Sequence, residues 1–66
     1  MNIIEKLKKE AGGLREASNA LGISYQAIWL WEQQGYIPPK RFALILKTFP
    51  KIKEAELIKA YYKRVV

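Results

Sequence analysis

The sequence predicts an all-α fold, a small bundle of about five helices. Three observations carry that expectation. Apolar residues recur at three- and four-residue spacing along successive short segments, the mark of one buried helical face. Glycines, prolines and a capping serine fall between the segments, where helices stop and start. Half of the 66 residues are hydrophobic, enough for one core and not for a second. Residues 1–66 are therefore read as a single domain.

The first helix is expected over residues 2–11. Ile3, Ile4, Leu7 and Ala11 share a stripe, Asn2 can cap it, and Gly12 and Gly13 end it. The second runs over residues 14–21 and stops at Gly22. Ser24 is a good N-cap for a third helix over residues 25–34, which Gly35 closes. At about 100° per residue, Ser24, Ala27, Ile28 and Trp31 fall on one face of it. Gln26, Trp29 and Gln33 fall on the opposite face, with Tyr25 and Leu30 beside them. Pro38 and Pro39 suit the first turn of a fourth helix over residues 39–48, carrying Phe42, Ile45 and Leu46, until Pro50 breaks it. A fifth helix is expected over residues 52–63. Ala55, Ile58, Tyr62 and Val65 form one stripe of it, with Leu57 and Tyr61 alongside. The last residues, "YYKRVV", are rich in β-formers, which leaves a short extended C-terminal tail as an alternative.

Composition narrows the function classes. The chain has no cysteine and no histidine, so disulfides, thiolate metal sites and the commonest general base are missing. The six carboxylates are scattered. Glu54 and Glu56, two residues apart, point different ways on a helix. No glycine-rich phosphate loop is present. These features predict a protein that is not an enzyme, with no metal, no cofactor and no small-molecule substrate. No apolar run approaches the roughly 18 residues of a membrane span, and "MNIIEKLKK" lacks a signal peptide's apolar stretch. A soluble cytoplasmic protein with no membrane partner is expected.

The net charge is +6, and it is unevenly placed. Lys6, Lys8, Lys9 and Arg15 balance Glu5, Glu10, Glu16 and Glu32 over residues 1–39. Lys40, Arg41, Lys47, Lys51, Lys53, Lys59, Lys63 and Arg64 face only Glu54 and Glu56 over residues 40–66. Such an excess favours a polyanion through counterion release, although a solvated lysine-rich surface is the plainer reading. The segment "LREASNALGISYQAIWLW" shifts the balance. Its two helices, joined at Gly22 with small Ser18 four residues earlier and with Ile28 and Trp31 as anchors, have helix-turn-helix spacing over residues 14–34.

Over roughly residues 3–49 the chain resembles the Cro-like repressors of lambdoid phages and the related Cro-like antitoxins of prophages. The resemblance is carried by "ALGIS", by Trp31 nine residues after the turn glycine, and by "IPPKR". It implies a lambda-repressor-like bundle that binds a double-stranded DNA operator as a homodimer and represses transcription, in a bacterial or phage-infected cell. Ser24, Tyr25, Gln26, Trp29 and Leu30 would then meet base edges. Arg15, Lys40 and Arg41 would meet phosphates, the last two at the start of the fourth helix. Phe42, Leu44, Phe49, Ile52 and Tyr61 are expected to supply the dimer surface. "WEQQGYIPP" also resembles the end of the recognition helix in MerR-type and excisionase winged-helix proteins. The third helix departs from the usual pattern: it has no lysine or arginine and it carries Glu32. Its aromatic face is therefore equally a candidate protein-binding surface, as in an antitoxin or antirepressor.

Overall fold

The computed structural model describes residues 2–63. Five α-helices and one 3-10 turn follow in order: α1 (Ile3–Ala11), α2 (Leu14–Leu21), α3 (Tyr25–Gln34), the 3-10 turn (Pro39–Arg41), α4 (Phe42–Thr48) and α5 (Glu54–Lys63). The fold is all-α, and no strand occurs among the described residues.

Local chemistry sets the first three helices where the sequence expects them. Asn2 Oδ1 accepts the Glu5 N–H at 2.8 Å and opens α1. The N–H groups of Gly12 and Gly13 both donate to the Lys8 carbonyl and close it. At the end of α2, Gly22 has φ +68°. The Ile23 N–H donates to the Ser18 carbonyl at 3.2 Å and the Gly22 N–H to that of Asn19 at 3.3 Å. These two bonds make a Schellman motif. Only three residues, 22–24, then separate α2 from α3.

The later helices differ from expectation. The fourth helix starts three residues late, because Pro39, Lys40 and Arg41 form a 3-10 turn in which the Arg41 N–H donates to the Pro38 carbonyl at 2.9 Å. A tight first turn of this kind is common where proline opens a helix. The fifth helix begins at Glu54, not Ile52. Ile52 belongs to the preceding turn, where its N–H donates to the Phe49 carbonyl at 2.9 Å and its side chain is buried. Tyr61, Tyr62 and Lys63 are helical, so the extended alternative fails for them; residues 64–66 lie outside the described residues.

One core is shared by all five helices. Ile4 and Leu7 of α1, Ala17 of α2, Ile28 of α3, Ile45 of α4 and Leu57 of α5 are almost wholly buried, with Ile37 filling the loop after α3. α2 lies against α1, α3 and α4, and α5 against α1, α4 and the 3-10 turn. The small Ser18 of α2 is buried, its hydroxyl donating to the Arg15 carbonyl at 2.7 Å.

The expected dimer surface is largely used up by this core. Phe49 and Ile52 are buried within the monomer, and Phe42 and Leu44 pack partly buried against the same cluster. Tyr61 is half-buried, its ring edge-on to Tyr36 at 5.5 Å. Phe49 and Ile52 find a place inside because the turn that carries them, closed by the Ile52 N–H to Phe49 carbonyl bond, sets both side chains in the core, while Phe42, Leu44 and Tyr61 keep part of their surface. On α5 the core takes Leu57, while Ala55, Ile58 and Tyr62 face outward.

Candidate nucleic-acid interface

The packing of α3 divides its residues cleanly. Ile28 and Trp31 enter the core. Tyr25, Trp29 and Leu30 stay 42%, 46% and 55% exposed, and Gln26 and Gln33 are exposed with them. A surface helix typically buries a stripe of about 100° or somewhat more, and α3 leans mainly on α2. The opposite side is left as a continuous outward face of two amides and three large apolar side chains.

Ser24 stands at the N-terminal tip of that face. Its Oγ accepts the Ala27 N–H at 3.2 Å, so its first role is to cap α3. Arg15 reaches across from α2, and its guanidinium lies 5.3 Å from the centre of the Tyr25 ring. This cation–π contact holds a positive charge beside the first turn of α3. On another side of α3 runs a shallow groove of about 240 Å³, lined by Ala27, Leu30, Trp31, Gln34, Pro38, Lys40 and Arg41. The structure thus brings the eight expected site residues together, with Arg15 at one margin of the face and Lys40 and Arg41 across the groove. These last two lie on the 3-10 turn ahead of α4, so they offer side-chain charge rather than the end of an α-helix.

Glu32, the carboxylate that set α3 apart from a cationic reading helix, has a partner. Lys8 of α1 donates to its Oε2 at 2.8 Å. That hydrogen bond, reinforced by the charge of Glu32, raises the Lys8 ammonium above its ordinary value of 10.5. The negative charge is neutralised at the edge of α3 nearest α1. Sequence reasoning had no sign of this pair, since residues 24 positions apart meet only once α1 and α3 are both packed against α2. It also passed over Gln34, which lines the groove and donates to the Tyr36 carbonyl at 3.4 Å. Its position four residues after Leu30 was the available signal.

A larger cleft, about 480 Å³, lies elsewhere, between the start of α1, the end of α3 and α5. None of the eight site residues lines it. Among the described residues no group of three or more histidine, cysteine, aspartate or glutamate side chains is placed to hold a metal ion, and no helix is long and apolar enough to cross a membrane. Comparison with known proteins finds no matching family, no similar curated protein and no similar solved structure.

Proposed function

We propose that this protein is a sequence-specific DNA-binding repressor of the Cro-like kind, which lays the outward face of α3 in the major groove of an operator as a homodimer. One observation carries this reading. The outward face of α3 is left exposed by the described residues and edged by Arg15 and by Lys40 and Arg41, while its one carboxylate is tied to Lys8. A helix of this length fits the major groove, and cations beside it reach the phosphate walls. Two copies would set their α3 helices about 34 Å apart on a palindromic site.

The surface this leaves for a second copy is the outer side of α5. Ala55, Ile58 and Tyr62 line it at helical spacing, with Glu54 on one flank and Lys59 on the other. Parallel pairing sets Glu54 of one copy near Lys59 of the other, five residues further on, the offset that joins flanking charges in paired helices.

Salt titration tests the DNA reading. Three phosphate-facing cations per subunit predict that log K falls with log salt at a slope of about −5 for a dimer. Affinity for duplex DNA that is indifferent to salt rules the proposal out.

A second reading rests on the apolar character of the same face. Tyr25, Trp29 and Leu30 resemble the anchors of a protein-binding surface more than the usual polar reading helix. The double variant Gln26→Ala, Trp29→Ala separates the two. A repressor loses operator binding with its circular dichroism unchanged. An antitoxin or antirepressor keeps any DNA binding and loses a co-purifying protein instead.

A further inference from the structure

We infer that α3 reads adenine and thymine, so that each operator half-site owes its recognition to A·T pairs and to thymine methyl groups in particular. This inference rests on the DNA reading above and names the bases that reading left open.

Each base presents a distinct edge in the major groove, and each is matched by a different side-chain chemistry. Guanine offers two acceptors, best met by the forked donors of arginine or by lysine. α3 carries neither along Tyr25–Gln34, and the nearby cations stand at its margins, where the phosphates pass. Cytosine offers an amino donor, best met by a carboxylate. The one carboxylate on α3 is Glu32, and it is held by Lys8 at 2.8 Å. Adenine offers a donor and an acceptor side by side, which a glutamine amide matches with two bonds. Gln26 and Gln33 supply exposed amides on the outward face. Thymine alone offers a methyl group, and among the large apolar side chains of that face Trp29 and Leu30 have the highest fractional exposure.

The penalty for the wrong base has the same origin. Pressing a guanine edge against Trp29 and Leu30 strips water from two acceptors. The indole N–H can replace one such bond at most, and an unpaired buried acceptor is costly. A thymine methyl in the same place loses no hydrogen bond and gains the burial of apolar surface.

The test uses duplexes enriched from a random pool by the unmodified protein, remade in two altered forms. One replaces thymine by deoxyuridine, which removes the methyl and keeps the pairing. The other replaces guanine by 7-deazaguanine, which removes the N7 acceptor. Fluorescence anisotropy at fixed salt is expected to show affinity falling about fourfold for each contacted methyl removed, and to show no change with 7-deazaguanine. The variant Trp29→Ala is expected to lose part of the difference between the thymine and deoxyuridine duplexes and the double variant Trp29→Ala, Leu30→Ala all of it, which ties the methyl effect to these two side chains. Equal affinity of the unmodified protein for both duplexes, or a loss with 7-deazaguanine, overturns the base assignment while salt-sensitive binding still supports the DNA reading. Failure to enrich any duplex sinks both.

Discussion

Gly22 holds φ +68° in the turn between α2 and α3, and nothing lies within 4 Å of where a Cβ would stand. Replacing it tests backbone conformation alone, free of steric clash. The left-handed conformation costs an ordinary residue roughly 1–2 kcal/mol. Gly22→Ala is therefore expected to lower unfolding stability by about 1 kcal/mol in urea titration, with Gly22→Asn milder because asparagine tolerates that region better. Gly22 and Ser24 were legible in the sequence because their roles are local: a turn and a cap involve neighbours only a few positions away. The fate of Glu32 was not. A carboxylate on a candidate reading helix counts against DNA until its partner is known, and Lys8 becomes that partner only when α2 holds α1 and α3 on its flanks.

The helices are linked by charge as well as by apolar contact. Lys6 of α1 donates to both carboxylate oxygens of Glu56 on α5 at 2.8 Å. Glu56 also accepts the Lys53 N–H at 3.0 Å, which caps the start of its own helix. The Lys6 hydrogen bond first, then the Lys53 N–H, holds the Glu56 carboxyl below its ordinary value of 4.5. Its folded value is thus depressed, so its contribution is complete above pH 4.5 and is lost as pH falls through the lower folded value. Lys8 works in the opposite sense: its contribution is complete below pH 10.5 and is lost as pH rises through the raised folded value. Urea midpoints measured across pH are expected to lose part of their acid-side fall in Glu56→Gln and part of their alkaline-side fall in Lys8→Met. Both pairs are partly exposed, so the effects should shrink as salt is added.

The same scale explains the ambiguity of α5. Leu57 and Ile58 are adjacent, about 100° apart around the helix, and each heads an apolar stripe. Periodicity alone gives no reason to prefer one. Packing chose Leu57, because that side meets α1 and α4, and left Ala55, Ile58 and Tyr62 outside.

For the whole molecule, that outer stripe makes a clear prediction. Ile58→Lys puts a charge on a surface that is 37% exposed, so the monomer is expected to fold with an unchanged helical signal. Sedimentation is expected to show the variant as a monomer under conditions where the parent protein is a dimer, and operator affinity is expected to weaken with it. A variant that sediments as the parent does removes α5 from the interface.

The sequence by itself determined the order of the five helices and the bounds of the first three. Helical periodicity, glycine stops and capping side chains act over three or four residues and so mark where each helix starts and stops, although helices this short hold only once they are packed. It also pointed to the stripe of Ala27, Ile28 and Trp31, which carries no amide or charge, as the side of α3 that enters the core. Only the tertiary structure decided how the surplus was shared: Phe49 and Ile52 inside, Ile58 and Tyr62 outside, Glu32 paired, and Arg15, Lys40 and Arg41 gathered around one face. Burial and ion pairing depend on where distant segments meet, and that meeting is settled by the packing of all five helices at once.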